Sequence, residues 1–156
     1  MLIAVIGAAQ CSPDEARLAE AIGRELAGRG AVLICGGLGG VMEAACRGAA
    51  GAGGLTVGLV PGDDPSSANR YVDIAIATGV GQARNIAIVK SARAVIAVGG
   101  EFGTLSEIAF AAKAGVPVIG LNTWKLAKPG LVAPPIVEVR SALEAVERAM
   151  ALALQP

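Results

Sequence analysis

The sequence predicts a single α/β domain over residues 1–156, built as a doubly wound, Rossmann-like, mostly parallel sheet of about six or seven strands. Three observations carry this reading. Short apolar runs such as "LIAVI" (2–6), "AVLIC" (31–35) and "VPVIGL" (116–121) recur without polar interruption, as in parallel strands buried on both faces. Stretches of helical periodicity alternate with them. The composition, 54% hydrophobic but only 3% aromatic, with 22 glycines, suits such strands beneath closely packed Ala-rich helices. No linker, repeat or low-complexity segment divides the chain.

Each element follows from local chemistry. "LIAVI" ends at Gly7. In "SPDEARLAEAIGRELAGRG", Ser12 caps a helix, Pro13 occupies its first turn and Glu15 completes a capping box. Leu18, Ala19, Ile22 and Leu26 share one face, and Gly28 or Gly30 ends the helix. After the strand 31–35 come the turn "GGLGG" and the helix "VMEAACRGAAGAG". "LTVGLVP" (55–61) is a strand stopped by Pro61, "GDDPSSANR" a polar loop and "YVDIAIAT" (71–78) an edge-like strand. "GQARNIAIVKSA" is a helix, "RAVIAV" (93–98) a strand, "GTLSEIAFAAKAG" a helix and 116–121 a strand. The loop "NTWKLAKPGLVAPP" leads to a short strand "IVEV" and a final amphipathic helix from Ser141.

Composition also narrows the function. With 13 basic and 13 acidic residues, the formal charge is zero, so no electrostatic footprint for nucleic acid or an anionic membrane is expected. The absence of histidine removes Ser-His-Asp and Cys-His catalysis and every His-based metal site. Cys11, Cys35 and Cys46 read as reduced thiols of a cytoplasmic protein, not a disulfide framework. The opening "MLIAVIGAAQ" is too short and lacks the basic flank of a signal peptide, and no apolar run reaches the ~18 residues of a membrane span.

Three strand ends are rich in glycine: "IGAAQCS", "CGGLGGVM" and "VGGEFGT". Ligands of open α/β sheets bind beyond the carboxyl ends of strands. Glycine admits close backbone approach there, and the next helix offers unpaired N–H groups and a positive dipole end. A phosphorylated small molecule is therefore the expected ligand. The amides near Gly103 and Thr104, with the Thr104 hydroxyl, would hold one phosphate. Those of Gly39, Gly40 and Val41 would reach the same ligand, with Gly7, Gly36, Gly37, Met42 and Gly100 around it. Neither a G-x-G-x-x-G fingerprint after the first strand nor a G-x-x-x-x-G-K-[ST] loop occurs, which disfavours a full NAD site or an ATPase.

These blocks resemble a known family. "VGGEFGTLSE" is similar to the P-G-G-x-G-T-x-x-E signature of the LONELY GUY (LOG) proteins, the Rossmann fold long labelled "lysine decarboxylase". "GGLGGVMEAACRGA" resembles the family's G-G-x-x-G-x-M block and "GGLTVGLVPGDD" its G-G-x-V-x-G-x-x-P stretch. The resemblance runs from the first strand to about residue 121. It implies a phosphoribohydrolase that releases the base from a nucleoside 5′-monophosphate, with Arg84 and Glu107 as catalytic dyad and Gly100, Gly103 and Thr104 as phosphate loop. Three positions depart from it: Gly99 replaces the leading proline, Glu101 the second glycine, and Asn85 the lysine after the arginine.

With its short length, the chain looks more like the compact bacterial branch that resembles molybdenum cofactor carrier proteins. Two readings follow. One is a carrier or binding protein for molybdenum cofactor or a nucleotide, favoured by the altered signature. The other is the hydrolase. Neither requires a cofactor or a metal, and a structural or sensing module ranks behind both. The resemblance and the apolar helices "GQARNIAIVKSA" and "LSEIAFAAKAG" predict a homodimer or higher homo-oligomer. Glu107 is expected in the first turn of its helix. Cys11 is read as a bland small residue, and Cys35 and Cys46 as core. Asp63, Asp64, Asn69 and Arg70 either line the cleft or solvate it, and Trp124 reads as a packing anchor.

Overall fold

The computed structural model describes residues 1–155. The chain runs β1 (Leu2–Gly7), α1 (Pro13–Gly28), β2 (Val32–Cys35), α2 (Val41–Gly51), β3 (Thr56–Val60) and β4 (Ile74–Ala77). It continues through α3 (Arg84–Ser91), β5 (Ala94–Val98), α4 (Phe102–Ala114), β6 (Val118–Leu121), β7 (Ile136–Glu138) and α5 (Ala142–Ala153). All seven strands form one parallel sheet of order β4-β3-β2-β1-β5-β6-β7, the upper end of the expected number.

Alternation along the strands sends side chains to two layers. Ile3 and Val5 of β1 face α1, α2 and α5, in a core with Ile22, Leu26, Ala45 and Ala149. Ala4 and Ile6 face α3 and α4, with Ile88, Val89, Ile108 and Ala111. Helices thus cover both faces, as continuous apolar strands require. The capping box at the start of α1 forms as expected: Ser12 Oγ accepts from the Glu15 amide at 3.2 Å and Glu15 Oε2 accepts from the Ser12 amide at 2.8 Å. Ser141 likewise caps α5.

Two predicted elements depart most from expectation. The strand sought over 71–78 is confined to Ile74–Ala77, at the sheet edge as expected. Side chains hold the residues before it in a turn: Asn69 Oδ1 accepts from the Tyr71 amide, and Thr56 Oγ1 accepts from that of Asp73. The helix over 81–92 opens as a single 3₁₀ turn, Gly81–Ala83, before α3 begins at Arg84.

Strand order reverses between β1 and β5. Gly7 and Val98 are paired there, so the loops after these strands part and leave a crevice.

Candidate functional site

A cavity of about 360 Å³ occupies this crevice, within the range of about 300–1,000 Å³ usual for small-molecule sites. Four segments converge on it. They are Gly7–Gln10 after β1, the β2–α2 turn with Leu38 and Met42, the entrance to α3 with Gln82, Arg84 and Asn85, and the start of α4 with Glu101, Gly103, Thr104 and Glu107.

Arg84 is the dominant charge. Burial at 5% exposure would be costly for a guanidinium without partners. Its Nη2 donates to the Gly36 carbonyl at 3.3 Å and its Nη1 to Asn85 Oδ1. Asn85 Nδ2 in turn donates to Gln82 Oε1 at 3.4 Å. The Nε proton has no acceptor, alone among the fully enclosed side-chain polar atoms of the described residues. Burial pulls this arginine below its ordinary value, and the field of Glu107 opposes the shift. A polar group left orphaned in a protein interior marks a place where an acceptor from outside would be welcome.

Glu107 is 7% exposed. No ion pair within 4.0 Å forms between it and Arg84 among the described residues. Burial pushes its carboxyl up to about 7, and the Arg84 charge offsets only part of that. The expectation that Glu107 sits in the first turn of its helix is incorrect. α4 starts at Phe102, one residue before the predicted start, and carries no acid in its first turn, so the dipole does not hold this carboxylate ionised.

The N-terminus of α4 is open. Glu101 is its N-cap residue but makes no side-chain capping bond, and the first backbone donor inside the helix is Leu105, to the Glu101 carbonyl at 2.9 Å. The amides of Gly103 and Thr104 therefore have no intrahelical acceptor. A Cβ at Gly100 would overlap the Thr104 side chain, so glycine allows this tight turn to bring Thr104 to the cavity wall. Gly99, where the LOG signature has proline, has φ +52°, which a proline ring cannot adopt. A Cβ there would overlap the Glu15 carboxylate, which closes over the turn.

The structure divides the expected ligand residues. Gly7, Met42, Arg84, Gly103, Thr104 and Glu107 line the cavity. Gly36, Gly37, Gly39, Gly40, Val41 and Gly100 are not among the residues that line it. The Val41 amide, expected at the ligand, donates instead to the Ala8 carbonyl at 3.0 Å. Gly40, at φ +62°, has the Ala8 and Ala9 backbone where a Cβ would stand, which locks the β2–α2 turn onto the β1–α1 loop.

Asp63, Asp64, Asn69 and Arg70 also stand off the cavity. Asp64 caps a 3₁₀ turn, Asn69 Nδ2 donates to the Leu38 carbonyl at 2.9 Å, and Arg70 lies over the Tyr71 ring at 4.9 Å. Trp124 packs on Phe102 with ring centroids 5.5 Å apart, and its indole N–H donates to the Glu101 carbonyl at 3.2 Å. Burial and Glu15 raise Cys11, which disfavours its thiolate. Cys35 and Cys46 are buried with their sulfurs 3.5 Å apart. Sequence reasoning missed the neutral amides Gln10 and Gln82. Their signal was position: one follows the first strand, the other stands two residues before Arg84. Among the described residues no cluster of possible metal ligands occurs, and no helix is long and apolar enough to cross a membrane.

Comparison with known proteins bears on the fold and the family. The family model of the SLOG cluster4 family matches residues 1–148. An uncharacterised protein of Archaeoglobus fulgidus is 49% identical over 122 residues, covering 78% of this chain and 80% of that protein. Among solved structures, the molybdenum cofactor binding protein of the phototrophic bacterium Rippkaea orientalis superposes with a TM-score of 0.88 at 38% identity, over 97% of this chain and 96% of that one. The molybdenum cofactor carrier protein of Chlamydomonas reinhardtii does so with a TM-score of 0.84 at 32% identity, over 99% and 98%. On the matched length of its sequence and this shared architecture, the chain belongs to the SLOG cluster4 family.

Proposed function

We propose that the protein binds molybdenum cofactor, or a phosphorylated small molecule of the same kind, in the cavity between β1 and β5, and holds it as a carrier. The observation that carries this reading is Arg84: a buried cation on the wall of a ligand-sized cavity, with an N–H that has no acceptor. An anionic group would pair with the Arg84 guanidinium and stand near the open amides of Gly103 and Thr104, where the α4 dipole adds attraction. Gln10, Gln82 and Asn85 supply neutral donors and acceptors along the rest of the wall. The likeness to cofactor-binding and cofactor-carrier proteins over nearly the whole chain supports the same ligand class.

Titration of the purified protein with molybdenum cofactor, followed by calorimetry or by retention through gel filtration, tests the proposal. Saturable binding in the wild type, weakened at least tenfold in Arg84→Ala, is expected. Equal affinity in the two proteins would remove Arg84 from the site. A parallel incubation with AMP separates carrier from hydrolase. No free adenine is expected, whereas adenine release that disappears in Glu107→Ala would establish the hydrolase in its place.

A further inference from the structure

We infer that an anion enters this cavity together with a proton, which Glu107 takes up from solvent onto a carboxylate oxygen. This inference rests on the proposed anion site and adds the means by which affinity responds to pH. The geometry supplies the reason. Arg84 and Glu107 enter the cavity from α3 and α4, and both are more than nine-tenths buried. With the protein ligand-free, the Arg84 charge offsets part of the cost of ionising Glu107. A dianion arriving at Arg84 claims that charge and leaves the Glu107 carboxylate as a further negative charge in the same poorly hydrated space.

Nothing nearby offers a second cation. α4 packs against α3, β1, β5 and β6. The three strands carry no ionisable side chain. α3 presents Arg84 and, toward its far end, the exposed Lys90. On α4 itself the other acid on the cavity wall is Glu101, which adds negative charge, while Lys113 stands in the last turn. Protonation of Glu107 is therefore the local route to neutrality. Its carboxyl already titrates at about 7 because of burial, so the proton is available near neutral pH.

Inorganic sulfate is a suitable probe, because it stays a dianion from pH 5 to 9 and contributes no titration of its own. Sulfate binding to the wild type is measured by calorimetry at pH 5.5 and pH 8.5, in buffers of different ionisation enthalpy. At pH 5.5 Glu107 is already protonated, and proton uptake near zero is expected. At pH 8.5 uptake rises toward one proton per sulfate, and between pH 7 and 8.5 affinity falls with a slope approaching about tenfold per pH unit. Glu107→Gln keeps its affinity constant across the range and takes up no proton.

Sulfate binding at pH 8.5 with no proton uptake would overturn the inference and leave the anion site standing. A pH slope retained in Glu107→Gln would do the same. Absence of sulfate binding at both pH values would remove the anion site, and the inference with it. The proton count needs no variant, so it decides the matter even if a substitution disturbs folding.

Discussion

Glu107 is held in a state that costs the fold. Its carboxyl titrates at about 7 in the native protein, against an ordinary value of 4.5. Below pH 4.5 it is neutral in both folded and unfolded chains and costs nothing. As pH rises from 4.5 to 7 the unfolded chain releases the proton and the native one retains it, so stability falls across that window and then levels off. The shift corresponds to roughly 3 kcal/mol, at about 1.4 kcal/mol per pH unit. Glu107→Gln is expected to match the wild type near pH 4 and to exceed it by an amount of that order at pH 8. Urea unfolding at the two pH values checks this, and a stability difference independent of pH would contradict it. At Thr104 the prediction concerns binding. Thr104→Val should weaken a phosphorylated ligand about tenfold to a hundredfold, from the roughly 1.5–3 kcal/mol of a hydrogen bond to a charged group. Affinity within about twofold of the wild type would place the anion elsewhere.

At the scale of elements, the α1–α2 contact is set by two glycines. A Cβ on Gly23 would overlap the Ala45 carbonyl, and one on Gly48 would overlap that of Glu20. The two helices therefore meet backbone to backbone, and Arg47 seals the contact through a forked pair to Glu20 Oε2 at 2.8 and 3.0 Å. Gly48→Ala gains about 1 kcal/mol in helix propensity but must push α1 away, at a cost of roughly 1–3 kcal/mol. A net loss of thermal stability is expected, and an increase would show that the helices can separate freely.

The order of these elements was legible because most strands are unbroken apolar runs and the starts of α1 and α5 carry capping serines, Ser12 and Ser141. The truncation at Tyr71 was not, because it depends on the Thr56 hydroxyl reaching the Tyr71 carbonyl and on Asn69 being tied to the distant Leu38 carbonyl. The site was legible in part for the same reason. Glycine and threonine after an apolar run mark a loop beside a helix start, which is local chemistry. That Arg84 would bind the Gly36 carbonyl, 48 residues away, is not. Nor is the engagement of the Val41 amide by Ala8, which turned an expected ligand donor into a loop tie. The blocks that resemble the LOG signature located Arg84 and Glu107, but burial of the pair follows from the packing of α3 on α4.

At the scale of the whole molecule, the two faces of the sheet are unequally covered. α1, α2 and α5 lie on one face, while α3 and α4 alone serve the other. The shortfall falls at the β3–β4 edge. Ile74 and Ile76 pair in register with Val57 and Leu59, which pack with the α3–α4 core, so all four share that face. Yet Ile74 and Ile76 remain 46% and 45% exposed. On the outer side of α4, Phe110 is exposed as well. An uncovered edge strand with apolar side chains invites association. A homodimer that buries this face is the expected form in solution, and sedimentation velocity at micromolar concentration should show it. Ile74→Glu with Ile76→Glu, both at exposed positions, should shift the protein to monomer with its thermal stability within a few degrees of the wild type. If the dimer buried a different face, the double substitution would leave its mass unchanged. A wild-type monomer would show that β4 tolerates its exposed isoleucines without a partner. The cavity lies at the β1–β5 junction, away from this edge. The double variant should therefore retain ligand affinity as a monomer, and a loss of binding on dissociation would instead tie the site to the assembled form.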